Sequence, residues 1–577
     1  MKNLNFVYLI FIVLSFLVAC DEDTTIGPGG ITTTLSNSTS NNMVTQGGEV
    51  TFTVSAVTTP NKTIRYVWDS SGGTIIDISV SKDTVVWTAP EELAEYQISV
   101  TAFDGEFSIK ISQDIEVSEY VPTSSPAYVG SDKCAICHAG GSGGDQHTTW
   151  IETHHADAWE TLQSSGGAAS FCEGCHTVGI KGYGVNTSAM DAGWDEVRID
   201  KFVNVQCENC HGPGSEHADS GDPSKITVNY EAATCGSCHT GTHHPTFDQE
   251  WELSPHNFDP ETSAFGAPGN SFCQGCHEGV AASIRLSGDL TSFYGGGSIS
   301  ERPTVEEQPL MPITCAVCHN PHDASNSSQI RTVADVHLVT SNGESPIVTD
   351  GGTGKFCMQC HHARRGPDTQ IENGYAHFGP HANPQADMLS GKSAYQGVAD
   401  SSFVWADPSH LFVENSCRTC HVHEISAGTL LVSGSISGKV TGHTFEPNVE
   451  ACGRCHGAIS DFDDIMALED FDGDGAVEGV QSEVQGLMDL LETALVANGL
   501  DTTGTDLLGA LGDTSTSTIV LREAGYNWAY IHDDKSSGVH NPDYAVQLLQ
   551  QSIKHLTGSF PANSVSLSYG MKAVGVF

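Results

Sequence analysis

The residues able to do chemistry in this 577-residue chain are its cysteines and histidines, and they are not scattered. Eighteen of the 19 cysteines form C-x-x-C pairs: Cys134/Cys137, Cys172/Cys175, Cys207/Cys210, Cys235/Cys238, Cys273/Cys276, Cys315/Cys318, Cys357/Cys360, Cys417/Cys420 and Cys452/Cys455. Each pair is followed at once by histidine: His138, His176, His211, His239, His277, His319, His361, His421 and His456. The stretch VQCENCHGPGSEH, Val205 to His217, shows the character of the region: two thiols, two imidazoles and little that could fill a hydrophobic core. Such a set of ligands could serve zinc, a disulfide or a covalently attached porphyrin.

Spacing and count separate these uses. A zinc site takes two such knuckles, or an equivalent ligand set, and gives no reason for histidine to come next every time. A disulfide framework would not hold every pair at one spacing. C-x-x-C-H is the attachment signal of c-type haem. Its thiols reach the two vinyl groups on one porphyrin edge, and the next residue brings its imidazole to the iron. Nine copies without exception predict nine haem c groups, with the eighteen cysteines as thioether anchors and the nine histidines as proximal ligands.

The sixth iron position separates a carrier from an enzyme. Of 27 histidines, 18 lie outside the motifs, enough to fill nine distal positions, and no motif reads C-x-x-C-K. Iron held by histidine on both faces suits electron transfer and leaves no place for substrate. From YVGSDKCAICH through HHADAWETL, FCEGCHTVG, VQCENCHGPGSEH and CGSCHTGTHHPTFDQEWELSPH the chain resembles the tetrahaem cytochrome that accepts electrons from hydroxylamine oxidation, and its multihaem relatives. The resemblance implies His155, His217 and His256 as distal ligands. CHNPH, HFGPHANPQADML, DPSHLF, GHTF and GVHNPDYA resemble larger multihaem cytochromes, including the helical end of the nitrite reductase family. They nominate His322, His381, His410, His443 and His540, and His377 is taken as the ninth in preference to His337. His532 and His555 lie in helical stretches and read as structural.

A second ligand pattern is DFDGDGAVEGVQ, with Asp470, Asp472, Asp474 and Glu478. It opens like an EF-hand calcium loop, oxygen ligands alternating before a turn glycine, although Gln481 stands where a glutamate is expected. Calcium is therefore a candidate beside haem.

These ligands need elements to position them. The N-terminal run FVYLIFIVLSFLVA after Lys2 reads as an export signal. LVAC, ending at Cys20, resembles the bacterial lipobox, which implies lipidation of Cys20 and membrane anchoring; the following acidic CDEDTT resembles the surface-export tract of some lipoproteins. Residues 1–20 are thus a lipoprotein signal and 21–42 a flexible tether. Period-two alternation over 43–118, as in GEVTFTVSAV and YQISVTAFDG, predicts a β-sandwich, and the strings resemble Ig-like or PKD domains of bacterial surface proteins. A loop-rich, mainly helical nonahaem domain is expected over 128–457, where haem must supply the missing core. Helical signals over 458–577 include Asn541 and Pro542 at a helix start.

With 24 Lys and Arg against 71 Asp and Glu, the chain carries a formal charge of −47. Such a surface repels phosphate backbones, arguing against nucleic acid, and favours redox partners with a basic docking face. The expected function is an exported, lipid-anchored electron relay at the outer membrane or cell surface. The alternatives are a multihaem reductase with one open iron, of nitrite, hydroxylamine or tetrathionate type, and a scaffold or filament of stacked haems.

Overall fold

The computed structural model describes residues 23–27, 30–39, 42–185, 193–241, 244–260, 271–291, 302–425 and 440–567. The signal segment and Cys20 lie outside the described residues. The chain divides into two compact units, Met1–Ala127 with Met190–Arg198, and Tyr128–Ala189 with Ile199–Phe577.

Among the described residues the first unit has nine strands: β1 (Asp23–Ile26), β2 (Thr32–Asn37), β3 (Met43–Thr45), β4 (Glu49–Val57), β5 (Arg65–Ser70), β6 (Thr74–Asp77), β7 (Thr84–Thr88), β8 (Glu95–Phe103) and β9 (Ser108–Ser118). One sheet runs β1-β2-β4-β7-β6 and the other β3-β9-β8-β5, with β3 and β9 parallel and every other pairing antiparallel. Alternation buries Val50, Phe52 and Val54 of β4 and Tyr96, Ile98, Val100 and Ala102 of β8, as period-two strands with one face inward require. Rings from opposite sheets meet inside: Phe52 lies 6.3 Å from Trp68, and Trp87 6.1 Å from Tyr96. Trp87 satisfies its indole by donating to the Gly72 carbonyl at 2.8 Å.

The expected tether over 21–42 needs correction. It contains β1 and β2, and β2 pairs with β4 from Thr32↔Val57 to Asn37↔Phe52. The threonines that suggested a loose linker are β-branched and suit extended backbone, and Ile31, Thr33 and Leu35 alternate inward with no exposed surface.

In the second unit the motif region is made of short helical turns joined by loops. The helices carrying motifs, such as Ser131–His138, Cys207–His211 and Val449–His456, run to eight residues at most. The C-terminal end is different. Helices Val480–Ala497, Ile519–Asp534 and Pro542–Thr557 enclose an apolar core that includes Leu487, Leu491, Leu495, Tyr526, Tyr530, Tyr544, Leu548 and Leu549. Ile371, Phe378 and Met388 from the motif region join that core, so the helical end and the motifs form one body. Pro542 opens the last helix where its missing N–H costs nothing. Among the described residues no helix is long and apolar enough to cross a membrane.

Candidate functional site

The motifs are numbered 1 to 9 here in chain order. Each lies on a helical turn or at its end. Residues three and four apart share one side of a helix, so a turn puts both thiols and the following imidazole on one face. In motif 3 the turn is held from outside. Glu208, between the two cysteines, is 1% exposed and accepts from the amides of Val129, Gly130 and Gly214 at 3.0, 2.8 and 2.7 Å. Burial pushes its carboxyl up to about 7 even against those hydrogen bonds.

Each motif histidine faces a second imidazole. The ring centroids are 6.2 Å apart for His138 and His217, 5.8 Å for His176 and His244, 6.0 Å for His211 and His322, and 6.5 Å for His239 and His155. The remaining pairs are His277 with His381 at 6.1 Å, His319 with His443 at 6.4 Å, His361 with His256 at 6.1 Å, His421 with His540 at 6.2 Å and His456 with His410 at 6.2 Å. Such separations leave room for one metal ion between facing nitrogens, at the bond length of about 2 Å that imidazole takes with first-row metals. His239 also lies 5.9 Å from His244, but a one-to-one assignment gives His244 to His176.

The second ring nitrogen is held where a metal ligand needs it. Nδ1 of His138, His211, His217, His319, His410 and His421 contacts the carbonyls of Gly143, Thr227, Asp222, Ser328, Val539 and Phe445, at 2.6 to 3.0 Å. An Nδ1–H donated to a carbonyl leaves the Nε2 lone pair free. Burial first, and neighbouring imidazoles second, push His239, His256, His322 and His443 down to about 4, so these rings are neutral. At His540 burial works in the same direction, but the charge and hydrogen bond of Asp534, 2.7 Å from Nδ1, outweigh it and raise the imidazole. His443 is fixed through its backbone: buried Glu250 accepts from the amides of Thr441 and His443, each at 2.8 Å.

Eight of the nominated distal histidines thus stand opposite a motif histidine. His377 does not. It is exposed, and its carbonyl accepts from Arg365. The ring opposite His176 is that of His244, which sits in CHTGTHHPT, five residues after the motif 4 histidine. Closeness to motif 4 disguised its place opposite the histidine of motif 2. His532 stacks on Trp528 beside Asp533, and His555 contacts Glu523.

In the acidic loop, carboxylate oxygens of Asp470, Asp472 and Glu483 lie within 4.8 Å of one another. Asp474 and Glu478 are outside this group: Asp474 accepts from Ala476, and the amide of Glu478 donates to Glu483. Glu483, 1% exposed and two positions past Gln481, supplies the inward carboxylate. A fixed twelve-residue frame could not find it.

Sulfurs of different motifs are neighbours. Cys134 contacts Cys207, Cys175 contacts Cys238, Cys235 contacts Cys315, Cys276 contacts Cys360 and Cys357 contacts Cys417. Cys210 lies near Cys238, Cys318 near Cys357, and Cys420 near Cys452 and Cys455. The motifs therefore form one connected series, 1-3-4-6-7-8-9, with motif 2 branching at 4 and motif 5 at 7.

Two of the eighteen expected anchors depart from the covered setting of a thioether inside a haem core. Cys137 of motif 1 and Cys455 of motif 9 are exposed, whereas the other sixteen motif cysteines are partly covered. Their place in the series gives the reason. Motifs 1 and 9 are its two ends, and the first cysteine of motif 1, Cys134, is the one turned toward motif 3. Cys137 lies on the outer side of that turn, where its carbonyl accepts from the Gly143 amide at 3.0 Å. Spacing alone ranks Cys137 with the other anchors; the fold sets it at the rim.

No family model matches the chain. It is similar to the C-type polyheme cytochrome OmcB of Geobacter sulfurreducens, 23% identical over 302 residues, covering 50% of this chain and 35% of the relative. The C-type polyheme cytochrome OmcC of the same organism is 27% identical over 192 residues, covering 30% of this chain and 23% of the relative. This chain is a relative of the multihaem c-type cytochromes. The matched stretches span about a third or less of those two cytochromes' own length. Among solved structures, the outer cell wall cytochrome OcwA aligns with a TM-score of 0.45 at 18% identity, covering 74% of this chain and 99% of that one. An undecaheme cytochrome from the S-layer of Carboxydothermus ferrireducens aligns at 0.43 and 17%, covering 76% and 70%.

Proposed function

We propose that the chain is a nonahaem electron relay. Each motif holds one haem c through its two cysteines and its histidine. The distal ligands, for motifs 1 to 9 in order, are His217, His244, His322, His155, His381, His443, His256, His540 and His410. Haem bound in this way supplies a one-electron couple with both axial positions filled. The protein's part is to hold the imidazoles in facing pairs, six of them with Nδ1 engaged by a carbonyl, and to keep adjacent motifs touching. The observation that carries the reading is that every motif histidine has an imidazole opposite it at bis-ligand spacing. That arrangement favours a relay over a reductase, which needs an open iron. Intact mass should show nine haem additions, and the oxidised protein should give only low-spin electron paramagnetic resonance signals. A high-spin signal with nitrite or hydroxylamine turnover would decide for the reductase.

The surroundings support placement outside the cytoplasm. Lipidation at Cys20 would anchor the chain, with the Ig/PKD-like sandwich as spacer, and Cys20→Ala should then move the protein from the membrane fraction to the soluble one. The acidic surface suits a basic redox partner, with electron-transfer rates that fall as salt rises. Calcium at Asp470, Asp472 and Glu483 would tie the loop to the helix Val480–Ala497.

A further inference from the structure

Motifs 5 and 7 are joined by two guanidinium groups that donate to their sulfurs. Arg285 is only 3% exposed in a chain of formal charge −47. Its guanidinium donates to the Gly275 carbonyl of motif 5 at 2.7 Å, to the Gln359 carbonyl of motif 7 at 2.9 Å and to the Cys360 sulfur at 3.1 Å. Arg364 makes the reciprocal clasp. It donates to the Cys276 sulfur of motif 5 at 2.8 Å and to the Cys360 carbonyl of motif 7 at 3.1 Å, while touching His362. Two guanidinium groups thus bridge two attachment sites whose sulfurs already meet. Asp387, fully buried and close enough to feel Arg364, offsets part of their charge, although burial holds its own carboxyl up at about 6. Arg331, beside motif 6, donates to the carbonyls of Val317, Ala316 and His319. Motif 3 has the opposite dressing, the buried carboxyl of Glu208.

Reduction at a bis-imidazole site adds one electron and breaks no bond. Fixed positive charge and hydrogen bonds to the anchoring sulfurs favour the electron-richer state, more strongly in a dry interior. We propose that Arg285 and Arg364 make the motif 5 and motif 7 centres the highest-potential pair of the array. Among the described contacts a motif 5 sulfur meets one of motif 7, which is itself a member of the main series, so electrons collect at this junction and its side branch.

The inference rests on the nonahaem reading, and the test separates the two. Wild type, Arg285→Gln, Arg364→Gln and Arg285→Lys are matured with haem, counted by intact mass, and titrated potentiometrically by optical spectra. A wild type without nine haems would overturn the nonahaem reading itself. With nine haems present, each glutamine variant should lower the top midpoints, by about 59 mV for a tenfold loss in the reduction constant. Arg285→Lys, which keeps the charge, should hold most of that midpoint. Superimposable titrations of wild type and either haem-complete glutamine variant would overturn the proposal. Loss of haem from both glutamine variants would also overturn it, leaving the arginines as structural clasps.

Discussion

The motif region and the helical C-terminal end belong to one body and are built on opposite plans. Between Ser131 and His456 no described helix exceeds eight residues, whereas the last region has helices of 16 and 18 residues. Apolar clusters among the motifs are small, such as Ala282, Leu286 and Val317, while the C-terminal core runs from Val484 through Leu567. A polypeptide must bury apolar side chains to offset ordering entropy. Where bound macrocycles would provide that surface, glycine-rich loops suffice; beyond the motifs, leucine, alanine and tyrosine must do it.

The largest effect should come from withholding haem. Amide exchange followed by mass spectrometry should show protection lost throughout 128–457 and kept in the strands of the first unit. Protection among the motifs without haem would reveal a polypeptide core there. Next in size, Leu491→Ala in the fully buried C-terminal core should cost about 2–5 kcal/mol in denaturant unfolding, with nine haems still attached. A smaller, local effect is expected from His244→Ala, which should turn one of the nine low-spin centres high-spin, whereas His377→Ala should change no centre. The reverse result would reinstate His377. Smallest of all, added calcium should raise the thermal midpoint of the wild type and not of Glu483→Gln; equal shifts would remove the site.

The motifs were legible because they are local: two thiols and an imidazole fall within five residues, and the fold sets each motif on a helical turn or at its end. How far each anchor is covered was not, since the rim position of Cys137 follows from where motif 1 falls in the series. Distal ligation is long-range, and only family-like strings pointed to it. They left the ninth position open, with His377 preferred to His337, whereas the ring that stands opposite His176 is that of His244. The sandwich was legible from alternation in β4 and β8, but β2 was not, because a threonine-rich strand and a threonine-rich linker have the same composition until a partner strand is known. Glu483 was missed because a buried carboxylate gathering backbone amides is a tertiary fact. Arg285 and Arg364 carried no sequence signal; their meaning comes from the meeting of motifs 5 and 7.

The facing imidazoles also impose an order in time. In a chain delivered N-terminus first, the His138 pair closes when His217 arrives, followed by the His155 pair at His239 and the His176 pair at His244. A three-centre seed is thus complete before Cys273 emerges. The His421 pair closes last, since its partner His540 comes only with the helical end. If each facing pair holds an iron, the C-terminal region is the latch of biogenesis, and a nascent or truncated chain that lacks it would present one iron with a bare face to oxygen, nitric oxide or another small ligand.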